Sequence, residues 1–283
     1  MNTCASMPAT ARNGKERLME QLIVLKVGGS VLERIHPAFF AQCFDAWRAG
    51  TQVVIVHGGG PMISRLMEKQ GKKPLFIEGR RVTDEETLSL VQMALSGHVN
   101  KQLVTQLINQ QVAAIGISGV DLELLKAEPA APELGYVGRV TDVNVEALDH
   151  VLKQGWMPVI ASVGVDGDGQ VYNINADEAA AAIAVAMCAD QLILLSDVDG
   201  IQIGGQLLQE ADPATIEQGI ADGAITGGMI PKARSALQSL AQGIPEVRIV
   251  NGAHANGFKQ GAGTRIVNQE VIDHGIVSDV SPA

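Results

Sequence analysis

The residues best suited to chemistry stand at the ends of apolar runs. Leu22 to Val27 is nearly continuous hydrophobic sequence broken by one charge, Lys26, and Gly28 and Gly29 follow at once. Such a run fits a strand buried on both faces of a parallel sheet. A charge there is costly unless an anion pairs with it. Two glycines let the backbone turn sharply and present bare N–H groups to a ligand. Strand, lysine and glycine turn together make a phosphate-binding design, although a lysine at a strand end can also snorkel to water.

A second stretch repeats the design. Val53-Val-Ile-Val-His-Gly-Gly-Gly-Pro61 runs an apolar strand into Gly58, Gly59 and Gly60, and Pro61 suits the first turn of a helix. Glycines there expose N–H groups where a helix adds positive potential. One such turn need be no more than a strand-to-helix connection; two in succession are harder to explain that way. Lys232 lies in Thr226-Gly-Gly-Met-Ile-Pro-Lys232, another glycine turn entering a helix. A cation is unfavourable at a helix N-terminus, so either solvent or an anionic ligand must compensate. Asn173-Ile-Asn-Ala-Asp177 opens an alanine-rich helix, and Ser196-Asp-Val-Asp-Gly200 ends a further apolar strand. His57 is the one histidine inside a candidate turn; beside glycines it reads as structural rather than catalytic. A P-loop, protein-kinase signatures, a serine nucleophile elbow and zinc-spaced Cys/His clusters are absent from the sequence.

The rest of the chain must position these residues. It has 283 residues, 46% of them hydrophobic and only 3% aromatic, so Val, Ile, Leu and Ala must fill a large core. A net charge of -10 speaks against a nucleic-acid partner. Cys4, Cys43 and Cys188 are widely spaced and odd in number, which predicts no disulfide framework and a reducing, cytoplasmic setting. No apolar run approaches ~18 residues, so no membrane span is expected. Residues 1–18 are small and polar, without the apolar region of a signal peptide; they read as a disordered extension.

The pattern predicts a helix over 37–49 whose flanking strands complete a β-α-β unit, a helix over 62–70, and a hairpin over 75–83 turning at Glu78-Gly79. Thr83-Asp-Glu-Glu86 reads as a capping box opening a helix over 84–110. In that helix Gly97 marks a bend or a close contact. Leu88, Val91, Leu95, Val99, Leu103 and Leu107 make its apolar stripe, covered within the subunit or by a second copy. A strand over 112–117, a hairpin layer over 122–142, a helix over 145–154 and a strand over 157–163 follow. Asp166-Gly-Asp-Gly169 is a turn, too short for a calcium loop. The alanine-rich helix covers 177–188, helices cover 213–221 and 230–242, and strands cover 247–250 and 264–267. This alternation is α/β, with a boundary near residue 188.

These motifs resemble the amino acid kinase family. Lys26-Val-Gly-Gly, His57-Gly-Gly-Gly, Gly79-Arg-Arg81-Val-Thr-Asp, Asn173-Ile-Asn-Ala-Asp177, Ser196-Asp-Val-Asp-Gly and Gly227-Gly-Met-Ile-Pro-Lys232 occur in the order found in its branch that phosphorylates N-acetyl-L-glutamate. The resemblance implies a three-layer αβα sandwich about a mainly parallel sheet. It implies a substrate and phosphoryl-transfer lobe over 19–188 and an ATP lobe over 189–283. It gives catalysis to Lys26, Lys232, Gly29 and Asp177, with Asp177 holding both lysines. Gly59, Gly60, Arg81 and Asn173 then bind the acylated amino acid. Asp197, Val198, Asp199, Gly200, Ile201, Ile225, Thr226, Gly227 and Gly228 bind ATP, and Mg²⁺ rides on the phosphates without a protein ligand set. The family further implies a homodimer paired through the 84–110 helix. A sibling kinase of a longer acylated amino acid of the aminoadipate type, and a non-catalytic sensor, are the competing readings; both lysines and Asp177 speak against the sensor. Two departures stand out. Arg80 occupies a flap position that is more often apolar in the family. Residues 1–20 lack the apolar pattern of the N-terminal helix of arginine-inhibited members, so no arginine inhibition is expected.

Overall fold

The computed structural model describes residues 21–255 and 261–268; the readings made for residues 1–18 and 1–20 lie outside them or reach them only in part. In chain order the elements are β1 (Leu22–Val27), α1 (Pro37–Arg48), β2 (Gln52–His57), α2 (Gly60–Lys69) and a hairpin of β3 (Phe76–Ile77) and β4 (Arg80–Arg81). Next come α3 (Glu85–Gln92), a π-helical segment (Met93–Val99), α4 (Asn100–Asn109), β5 (Ala114–Ser118), β6 (Leu125–Pro129), β7 (Val137–Val143) and α5 (Val145–Lys153). Then follow β8 (Met157–Ala161), β9 (Val163–Val165), β10 (Val171–Ile174), α6 (Ala176–Ala186) and β11 (Gln191–Ser196). The chain continues through β12 (Gln202–Ile203), β13 (Gln206–Leu207), β14 (Glu210–Ala211), α7 (Pro213–Ala221), α8 (Met229–Ala241), β15 (Val247–Asn251) and β16 (Thr264–Ile266).

Eight strands form one sheet in the order β14-β16-β15-β11-β1-β2-β8-β5, parallel except where β15 meets β16. The side-chain period of two sorts β1 onto both faces. Leu22 and Val24 face a core shared with Leu148, Ala180, Ile183 and Ala236 of α5, α6 and α8. Ile23, Leu25 and Val27 face Phe39, Phe40 and Cys43 of α1 and Leu103 and Leu107 of α4. Helices thus cover both sides, and the α/β sandwich follows from strands apolar on both faces. One sheet crosses residue 188, with β1, β2, β5 and β8 before it and β11, β14, β15 and β16 after it.

Several details differ from the sequence expectation. Residues 122–142 do not form a hairpin layer: β6 and β7 join β9 and β10 in a small closed barrel. Gly138 and Gly164 permit it, since a methyl on either would meet Tyr172 or the Leu125 carbonyl at 2.7 and 2.9 Å. The cap of α3 is Asp84, one residue later than the predicted Thr83; its carboxylate accepts from Thr87 N at 2.9 Å. Thr83 instead donates its hydroxyl to Arg81 O. Gly97 makes no close contact, and the predicted bend is a π segment that re-phases the helix. The apolar stripe of this helix is buried within the subunit from Leu88 to Leu107; each such leucine contributes about 1.5–3 kcal/mol over exposure.

Candidate active site

The crevice lies where the strand order reverses. From β1 the chain passes to β2 on one side, while β11 pairs on the other; Val27 is in register with both His57 and Leu195. In open parallel sheets ligands bind at the carboxyl ends of the strands at such a switch point. Here the three strand ends deliver the Gly28-Gly29 turn, the Gly58-Gly59-Gly60 turn and the Asp197–Gly200 turn side by side.

The two glycine turns touch. A methyl on Gly29 would stand 2.8 Å from Gly60 N and 2.9 Å from Pro61 Cδ. One on Gly59 would stand 2.6 Å from Leu95 Cδ2. Gly59 has an extended φ of 175°, so close approach rather than conformation demands glycine. The two turns thus lie against each other, with Gly60 N at the contact; glycine turns of this kind can present backbone N–H groups to an anion.

Lys26 follows the alternation of β1 onto the face that carries α6. The small residues Ala179, Ala180 and Ala184 are buried and let that helix lie close. Asn175 caps α6 by accepting from Asp177 N at 2.8 Å, which fixes Asp177 in the first turn, where the helix dipole favours an anion. Lys26 Nζ then lies 2.9 Å from Asp177 Oδ1, with the lysine side chain 15% exposed.

Lys232, in the first turns of α8, pairs with Asp197 Oδ1 at 3.0 Å. Asp177 is therefore not shared between the lysines, as the resemblance implied; each has its own carboxylate. Lys232 holds the Asp197 carboxyl below the usual carboxylate range through their hydrogen bond. Beside this pair opens a cavity of about 520 Å³ that includes Asp197, Val198, Asp199, Gly200, Ile225 and Thr226. Ile201 is buried beneath it, with its N–H on Thr264 Oγ1. Gly227 and Gly228 lead on into α8. Asn251 and His254 also line the cavity, and Asn251 donates to Asp199 at 2.7 Å. Sequence reasoning missed both, although β15 pairs in parallel with β11 and ends in the turn Asn251-Gly252.

Arg81 is not an open flap residue. It is 7% exposed, donating to Gly60 O at 2.9 Å and to Ser64 Oγ at 2.8 Å, and its guanidinium lies 4.7 Å from the Phe76 ring centroid. Asn173 reaches the same hairpin: its amide donates to Thr83 Oγ1 at 3.1 Å. Arg80, the unusual flap residue, lies 3.6 Å from Glu178, next to Asp177. The hairpin is thus tied to the glycine turn, the barrel and α6 at once. Gly29, Gly59, Gly60, Lys26, Asp177, Arg81 and Asn173 are linked around one end of the sheet. Lys232, Asp197–Ile201 and Ile225–Gly228 gather on the side of β11.

Paired lysines, touching glycine turns and a separate cavity at a switch point define a phosphoryl-transfer enzyme of the α/β class. The chain belongs to the amino acid kinase family, whose model matches residues 21–251. It is 49% identical over 235 residues to an acetylglutamate kinase of Geobacillus thermodenitrificans, covering 83% of this chain and 91% of that one. It is 44% identical over 248 residues to an acetylglutamate kinase of Shouchella clausii, covering 87% and 96%. The crystal structure of smu.665 from Streptococcus mutans superposes with a TM-score of 0.78 at 35% identity, over 87% of this chain and 98% of that one.

Proposed function

We propose that this protein transfers the γ-phosphoryl group of ATP to the γ-carboxylate of N-acetyl-L-glutamate, a step of arginine biosynthesis. The observation that carries the reading is the Lys26–Asp177 pair beside two glycine turns in contact. The acceptor carboxylate has a pKa of about 4.3 and is ionised at neutral pH, so no general base is required. Its oxygen forms a bond to the γ-phosphorus, the bond from that phosphorus to the bridging oxygen breaks, and the electron pair leaves with ADP. Catalysis is then positioning and charge stabilisation. Lys26 and the Gly29, Gly59 and Gly60 amides meet the transferred oxygens from one side, and Lys232 meets them from the other. Asp177 and Asp197 hold the lysines in place.

ATP fits the cavity over Asp197–Ile201 and Ile225–Gly228, and the division near residue 188 separates that lobe from the substrate lobe. Arg81, with Asn173, frames the amino acid through its α-carboxylate. Among the described residues no three His, Cys, Asp or Glu side chains gather into a metal site. A divalent ion entering with ATP would supply charge neutralisation of the phosphates.

Assembly as a homodimer in the cytoplasm completes the reading. No helix among the described residues is long and apolar enough to cross a membrane. The stripe is buried within the subunit, so pairing through this helix would use its exposed residues, among them Met93 and Ile108. ADP release that depends on N-acetyl-L-glutamate, compared with its aminoadipate homologue, tests the reading. Equal ADP release without either acceptor overturns it.

A further inference from the structure

We propose that His57 is a positioning residue that aims the Gly59 amide at the transferred phosphoryl group, and that Asn100 fixes the tautomer in which it does so. His57 ends β2, fully buried, and Asn100 opens α4 directly after the π segment, also fully buried. Asn100 Nδ2 lies 2.8 Å from Val159 O and 3.1 Å from Ile117 O. Carbonyls only accept, so this atom is the donor. Lys101 Nζ donates to the other end, Asn100 Oδ1, at 2.9 Å, which fixes the same orientation from the opposite side. The third neighbour of Nδ2 is His57 Nε2 at 3.1 Å. The amide nitrogen has two N–H groups to divide among these three neighbours and cannot itself accept, so a proton on Nε2 would face a donor, whereas a proton on Nδ1 faces the Gly58 carbonyl; the imidazole proton is therefore assigned to Nδ1.

Nδ1 lies 2.9 Å from Gly58 O, and the N–H donates to that carbonyl. A trans peptide sets its C=O and N–H in opposite directions. Pinning Gly58 O toward the core thus points Gly59 N–H away from it, where it has no backbone acceptor among the described residues. The π segment serves the same turn a second time, by setting Leu95 and Val99 against Gly59. Burial pushes the His57 pKa down to about 4, so the ring remains neutral and the arrangement intact at neutral pH. Sequence reading gave His57 a structural part; the hydrogen bonds give that part a target in the site.

The inference rests on the phosphoryl-transfer reading and is tested by two arms. In the first, His57→Asn retains a donor at the Nδ1 position, whereas His57→Gln retains a partner for Asn100 and loses that donor. Misaiming one preorganised donor costs about ten- to a hundredfold in rate. We expect His57→Gln to lose at least about tenfold in kcat, with both KM values little changed. His57→Asn should stay within about threefold of the unmodified enzyme while melting as much lower as His57→Gln does. Equal kcat for the two folded variants overturns the proposal. In the second arm, ¹⁵N NMR of the unmodified protein reads the His57 ring without reference to activity. Protonated Nδ1 and bare Nε2 are expected; protonated Nε2 overturns the proposal even where neither variant folds. Absence of turnover in the unmodified protein sinks the functional reading and leaves the tautomer result standing.

Discussion

Lys26 Nζ and Asp177 Oδ1 are 2.9 Å apart although 151 positions of sequence separate them, and their meeting is a consequence of two local patterns. Alternation along β1 sends Lys26 to the α6 face, and the Asn175 cap starts α6 where Asp177 reaches it. A largely buried lysine is tolerated because its carboxylate partner arrives with the helix dipole behind it. The same pair holds a cation beside the first glycine turn, with Lys26 Nζ 3.5 Å from where a methyl on Gly28 would stand.

Lys232 and Asp197 form the second pair, and a double-mutant cycle tests it. Lys232→Ala should keep the fold and lose on the order of 10²–10³ in kcat. Asp197→Ala should cost less on its own and almost nothing further once Lys232 is gone. Additive losses would show that the carboxylate acts independently of the lysine.

Gly29→Ala should retain the fold and lose at least about a hundredfold in kcat/KM. The added methyl meets backbone and a proline ring at 2.8 and 2.9 Å, so the turns must part and their amides diverge. Gly50→Ala, where a methyl meets nothing within 4 Å but φ is +87°, serves as the control: it should lower the melting temperature and leave turnover per folded molecule unchanged.

The sheet, its helices and the glycine turns were legible because strand burial on two faces and glycine spacing are local signals. The small barrel was not: its closure depends on Gly138 and Gly164 approaching distant neighbours, which no window of sequence displays. The cap was misplaced by one residue because Thr83 and Asp84 are both cap-forming residue types, and the Thr83 backbone is instead bonded to Leu134 and Tyr136. Among site residues, Asn251 and His254 went unseen because neither stands beside a lysine or glycine cluster, and their role follows from β15 lying next to β11. The resemblance assigned Lys232 to Asp177, and its contact with Asp197 is a long-range one that no window of sequence displays.

Arg81→Ala should raise KM for the acylated amino acid about ten- to a hundredfold and leave KM for ATP nearly unchanged. It should also lower the melting temperature by several degrees, because Gly60 O and Ser64 Oγ lose their donor in a buried setting. A selective change in KM for ATP would place the hairpin over the wrong substrate.

Acid should weaken the fold through His57. Its folded pKa is pulled down to about 4 by burial, from an ordinary 6.5. Between those values the unfolded chain binds a proton that the folded chain refuses, so stability falls as pH drops through that window. The loss amounts to about 3 kcal/mol by pH 4. Urea unfolding midpoints measured across that range should decline more steeply for the unmodified protein than for His57→Asn, and parallel curves would contradict the assignment.

The account's central claim is that the product is an acyl phosphate. Purified protein incubated with MgATP, N-acetyl-L-glutamate and hydroxylamine should yield the γ-hydroxamate in equal amount to ADP, because hydroxylamine captures the acyl phosphate as it forms. ADP accumulating without hydroxamate, or no turnover of either kind, would contradict it.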